Sequence, residues 1–192
     1  MAQDTIVKLP PSSAWQTELI RLTAFPSPSM NVANQNWWEE LVGVLPLKQK
    51  REPRSFEQND EGPFKDGRLI LNVSPLRVDW IYTVLEPNLN ESKTKLLHLG
   101  TFDKIIKDFT DFIGNWVTLP NLTFTRLAFG SILLQEVDTH KNGYELVSAY
   151  LPFDLDPNNT SDFLYRINRK RSSKIIENLV INRLSTWAAI SM

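Results

Sequence analysis

The 192 residues include no cysteine. That excludes disulfides, zinc–thiolate sites, iron–sulfur clusters and thiol nucleophiles. It fits a cytoplasmic life, where disulfides are rare, and the cytoplasm is the expected location. Histidine is nearly absent: His98 and His140 are the two. Both are expected in connections. His140 lies near Asp138, but no Gly-x-Ser-x-Gly elbow accompanies them, so no triad is indicated. Two histidines without cysteine also make a poor transition-metal site. Glycine is scarce, with 7 in the chain and no Gly-x-Gly among them. The usual phosphate-cradling loops are therefore missing, and no cofactor is expected. Asp154-Leu155-Asp156-Pro157-Asn158 spaces its oxygens as a calcium loop does. Asn159, however, replaces the turn glycine, and Tyr165 the bidentate glutamate, so an Asx-rich turn is expected instead. No apolar run approaches the roughly 20 residues of a membrane-spanning helix. Met1–Pro11 lacks the basic and apolar regions of a signal peptide. The formal net charge is -1, so attraction to nucleic acid would need a local patch.

Hydrophobic residues make up 42% of the chain, enough for a sizeable core. The reading is a flexible arm over residues 1–14 and one α+β domain over 15–192. Thr101 to Val137 dominates the pattern. Phe102, Ile105, Ile106, Phe109, Phe112, Ile113 and Trp116 share one helical face. Leu122–Val137 is apolar on both alternating faces, which predicts an interior strand. A charge at Phe129 would then sit unpaired in the core. Gly130 within it suggests a bulge or a close backbone approach.

Trp15–Phe25 reads as a strand. Asn36 to Val42 reads as a short helix with Asn36 as its cap, Glu39 completing the box and Gly43 just past its end. Leu47–Gly67 is the most hydrophilic stretch and reads as a long loop with a short edge strand near Ser55–Gln58. Arg68–Val73 and Arg77–Leu85 form a hairpin by alternation. The order through Val137 is that of a ferredoxin-like βαββαβ antiparallel sheet with two helices on one face. Beyond it, Asn142-Gly143 marks a turn, Tyr144–Leu151 a short helix, and residues 163–169 and 179–190 a C-terminal β-hairpin.

Arg166, Arg169, Lys170, Arg171 and Lys174 form the one local charge anomaly and are the candidate contacts for nucleic acid or another anion. Leu179, Ile181, Leu184, Trp187 and Ile190 are candidates for an association surface at a sheet edge. The tripeptide Ile-Asn-Arg recurs at 167–169 and 181–183. Trp15–Phe25, Val78-Asp79-Trp80, Arg126–Gln135 and the two Ile-Asn-Arg strands together resemble a loose group of bacterial hypothetical proteins. That resemblance implies no assigned activity and no site residues. The expected role is a non-enzymatic protein-interaction or accessory module, self-associating or docking on another protein, with no membrane partner. Nucleic-acid binding through residues 166–174 is the alternative. A hydrolase built on scattered carboxylates is the less favoured third.

Overall fold

A computed structural model describes residues 11–33, 35–85 and 96–190. Most of the expected arm and of the polar connection after Leu85 lies outside the described residues. The chain divides into two compact units, one of them Pro11–Gln135 and the other containing everything from Glu136 on.

The first unit contains β1 (Gln16–Pro26), α1 (Trp37–Val42), β2 (Lys48–Glu52), β3 (Glu57–Phe64), β4 (Gly67–Ser74), β5 (Arg77–Thr83), α2 (Phe102–Val117) and β6 (Phe124–Leu134). Its strands make one antiparallel sheet in the order β2-β3-β4-β5-β1-β6. The α+β class agrees with the sequence. The order is not that of the four-stranded sheet expected, because the hydrophilic stretch after Leu47 folds as β2 and β3 rather than as a loop. Its strand character is hidden by polar residues that are buried in pairs. Gln58 and Asp60 point to the same side as their neighbours Val73 and Leu71. Asp60 is fully buried, and its two oxygens take both terminal nitrogens of Arg51, one at 3.0 Å, and the amide of Gln58 at 2.6 Å.

One side of the sheet carries the core. Ile20, Leu22 and Ala24 of β1, Leu69, Leu71 and Val73 of β4, and Val78, Trp80 and Tyr82 of β5 face it. Both helices lie against that side. α2 contributes Ile105, Phe109, Phe112, Ile113 and Trp116, the face its periodicity predicts. α1 contributes Trp37 and Trp38. Four tryptophans meet there: Trp38 stacks on Trp80 at 6.4 Å, Trp80 meets Trp116 edge-on at 6.0 Å, and Trp37 meets Trp116 at 5.5 Å. Gly62 makes room for this group. A Cβ at that position would come within 2.9 Å of the Trp38 ring. Gly43 ends α1 in the left-handed region at φ 78°, as expected, but Asn36 makes no side-chain cap bond.

The two sheet edges differ sharply. β2 reads Lys-Gln-Lys-Arg-Glu and is exposed throughout. Such charges block edge-to-edge pairing. β6 is the other edge, not the interior strand expected. Its double-sided apolarity predicts burial, but among the described residues of the first unit no strand lies beyond it. Leu127, Phe129 and Ile132 are each about half exposed. Phe129 keeps one ring contact with Phe109 of α2, at 6.3 Å. Gly130 carries neither feature expected of it: the register shifts of the β1–β6 ladder lie between Thr17 and Leu19 and between Phe25 and Pro26, and a Cβ at 130 would meet nothing within 4 Å. Phe129→Asp is therefore expected to cost only about 1 kcal/mol, the worth of one aromatic pair. Urea denaturation of the full chain, dilute enough that self-association adds no stability, measures it; a loss several times larger would restore the interior assignment.

The second unit contains α3 (His140–Ser148), β7 (Leu164–Ser172) and β8 (Val180–Ala188). α3 starts earlier than predicted because Thr139 caps it, accepting from the Asn142 amide at 3.1 Å. Asn142-Gly143 lies inside the helix and is not a turn; Gly143 is buried there, and a Cβ at that position would be in ordinary contact with Val137 and Ala189.

Candidate functional site

β7 and β8 pair as a two-stranded antiparallel ribbon, with Arg169 directly opposite Arg183. Opposed residues on such a ladder point to the same side. One side therefore carries Tyr165 with Trp187, Ile167 with Ser185, Arg169 with Arg183, and Arg171 with Ile181. The other carries Leu164, Arg166, Asn168 and Lys170 against Ala188, Thr186, Leu184 and Asn182. Aromatic rings hold the base of the ribbon. Trp187 stacks on Tyr150 at 4.7 Å, Tyr165 meets Phe153 edge-on at 5.4 Å, and Phe163 meets Tyr144 of α3 at 6.4 Å. His140 lies beside Tyr144, ring centroids 4.5 Å apart, and is part of this packing. Before the ribbon, Asp156 accepts from the Asn158 amide at 2.9 Å and from the Asn159 side chain at 2.7 Å. Those bonds hold its carboxyl below the usual carboxylate range. This is the Asx turn expected.

The five basic candidates separate on the ribbon. Arg169 and Arg171 share one side, Arg166 and Lys170 the other, and Lys174 lies in the turn beyond β7. Pairing adds Arg183, which was not singled out in the sequence, to the first side. Three arginines thus crowd one face, and like charges directly opposed destabilise a ladder. No carboxylate pairs with them among the described residues. Glu177 is the one acid between Leu164 and Ala188. The clue to Arg183 was the repeated Ile-Asn-Arg. A local two-fold through the Arg169–Arg183 pair relates residue 167 to 181, 168 to 182 and 169 to 183.

The association candidates also divide. Leu184 lies on one side of the ribbon and Ile181 on the other, both about half exposed. Leu179 and Ile190 flank β8, and Ile190 is 69% exposed. Trp187 is half-buried on Tyr150 and acts as an anchor of the ribbon. At the turn, Ile175 is 94% exposed and Ile176 is largely so, a pair the sequence reading passed over. The turn itself is ordered by Ser173, whose hydroxyl accepts from the amides of Ile175 and Ile176 at 3.1 and 3.0 Å.

The first unit offers two clefts. One, of about 460 Å³, lies between α1 and the β2–β3 pair and is lined by Trp38, Arg51, Phe56 and Asp60. The other, of about 320 Å³, lies on the opposite side of the sheet. There Lys50, Asn59, Asn72, Asp79 and Thr23 form one row across five strands. In both clefts the main polar groups satisfy one another. Asp60 holds Arg51; Asn59 donates to Asn72 at 2.5 Å; Asp79 takes Thr23 at 2.5 Å and Arg77 at 2.6 Å. Groups already paired in this way hold strands together and leave little for a ligand. The ribbon is the reverse case, rich in charge and apolar surface without partners. Among the described residues no three His, Asp or Glu side chains are grouped to hold a metal ion, and no helix is long and apolar enough to cross a membrane. No protein-family model matches this chain, and neither does any curated protein or solved structure.

Proposed function

We propose that this chain is a cytoplasmic binding module that docks on another protein through the β7–β8 ribbon. One observation supports the reading above the rest: the ribbon leaves Leu164, Ile175, Val180 and Leu184 more than half exposed. A lone two-stranded hairpin is marginal in water, and exposed apolar surface of this extent marks interaction sites. Arg166 and Lys170, on the same side of the ribbon as Leu164, Val180 and Leu184, give the partner its character. Its docking face is apolar at the centre and acidic at the rim, since complementary charge speeds and selects encounter. The absence of cysteine supports the location. We propose too that the first unit is ferredoxin-like at its centre: β4, β5, β1 and β6 are sheet neighbours, with β2 and β3 inserted after α1.

A photo-crosslinking residue at Leu184, introduced in the native host, tests this. The expected result is one dominant protein adduct, unchanged by nuclease and lost when Val180→Asp, on the same side of the ribbon and exposed, is added. Trp187 and Tyr150 report in near-UV dichroism that the ribbon is intact. No protein adduct at this position would sink the proposal.

Nucleic acid is the second reading, favoured by the Arg169, Arg171 and Arg183 face. Under it, reversing Arg169 and Arg183 to Glu should lower the salt slope of log K by about 2, one for each phosphate no longer neutralised. An unchanged slope in a DNA or RNA shift assay removes this reading.

A further inference from the structure

We propose that two copies of this chain pair edge to edge through β6, antiparallel and about a two-fold axis at Ala128. The starting point is a mismatch. β6 has the composition of an interior strand, yet it is the last strand of its sheet. From Phe124 to Leu134 it holds one charge, Arg126, and no proline. It lacks the lysines, prolines and bulges at its centre by which natural edges are protected. Among the described residues, the backbone hydrogen bonds of Thr125–Leu134 are those of the β1 ladder. The outward amides and carbonyls call for a strand, and the half-exposed Leu127, Phe129 and Ile132 call for an apolar one.

A second β6 meets both demands. A two-fold perpendicular to the sheet keeps each side chain on its own side, so the α2 side of one copy continues as the α2 side of the other. With Ala128 opposite its own copy, Leu127 falls opposite Phe129, and Arg126 falls opposite Gly130. A Cβ at Gly130 would have nothing within 4 Å, so the arginine stem has open space to lie in. The single charge of the strand never meets itself. The far edge of the sheet explains why pairing stops at two. β2 carries Lys48, Lys50, Arg51 and Glu52, all exposed, so only one edge of each copy is open to pairing. An isologous contact on one edge closes as a dimer and cannot run on into a fibre.

The test uses the full chain. Sedimentation velocity across the micromolar range should show a dimer for the wild type. Leu127→Lys should raise the dissociation constant about 100-fold, since a charge would be buried without a partner. Leu127 is half exposed in the single chain, so far-UV dichroism and the thermal midpoint, both read well below the wild-type dissociation constant where association adds no stability, should hold nearly constant. The cysteine-free sequence allows a second readout. Directly opposed residues of an antiparallel pair lie about 5 Å apart at Cα, within disulfide reach. Ala128→Cys, which falls opposite its own copy, should therefore oxidise to a covalent dimer, while Gly130→Cys, offset by four residues along the strands, and Leu76→Cys, exposed at the β4–β5 turn, should not. A wild type that stays monomeric, a Leu127→Lys chain that dimerises as well as wild type, or crosslinking as fast at 76 or 130 as at 128 each overturns the proposal. The first of these would leave the edge to a strand from another protein.

Discussion

Trp80→Ala should cost the chain about 4 kcal/mol, the range for removing a large buried aromatic. Trp80 is 0% exposed on β5, between β4 and β1. Its ring lies against three others: Trp38 at 6.4 Å, Phe112 at 5.1 Å and Trp116 at 6.0 Å. Those rings come from α1 and α2, so the side chain fastens both helices to the sheet. The cavity left would be walled by strand backbone on one side and indoles on the other, neither of which collapses easily. Urea denaturation followed by far-UV dichroism should show the midpoint falling with little change in slope. A loss under about 1 kcal/mol would mean that the helices are held by something other than this aromatic layer.

The second large effect is expected at the Arg51–Asp60 pair. Arg51→Met should cost about 3 kcal/mol, because a carboxylate left in the interior without its cation is strongly destabilising. The Asp60 side chain is 1% exposed while that of Arg51 is 38% exposed. The asymmetry matters: the arginine can turn to water when its partner goes, but the aspartate cannot. Gln58 remains, with one amide bond to one carboxylate oxygen. Replacing both partners, Arg51→Met with Asp60→Leu, should recover most of the loss, as removing a buried pair entirely is often near neutral. The double-mutant cycle reads the coupling directly. If Arg51→Met alone fell within about 0.5 kcal/mol of wild type, the pair would not hold β2 to β3.

Much of the fold was legible where burial and period agree. The α2 face follows from Ile105, Phe109, Phe112, Ile113 and Trp116 at helical spacing, and the β4–β5 hairpin from alternation across a tight turn. β2 and β3 were illegible for a physical reason. Their buried positions are Gln58, Asp60 and Gly62, whose burial depends on Arg51 and Trp38 arriving from elsewhere. Gly143 misled because a glycine after asparagine is a turn signal only when no cap places it inside a helix. β6 misled differently: the strand reads as interior, and within one copy of the first unit it is not. The ribbon was half legible. Its basic residues stand out in sequence, but Arg183 joins them only once the register is known, and the register depends on where the turn at 173–179 begins.

The four clustered indoles have an optical consequence. Rings this close, at 5.5 to 6.4 Å, couple their excitations along the chain Trp37–Trp116–Trp80–Trp38. Their coupled transitions should appear as a paired positive and negative band in circular dichroism, and their polarised emission should be depolarised by transfer within the group. Trp187, stacked on Tyr150, lies in the other unit and carries its own signal. Trp15 is the sixth tryptophan and belongs to the first unit, so in a Trp15→Phe background light distinguishes the two units without any label: loss of the coupled band marks opening of residues 11–135, and a change in Trp187 emission marks events at the ribbon.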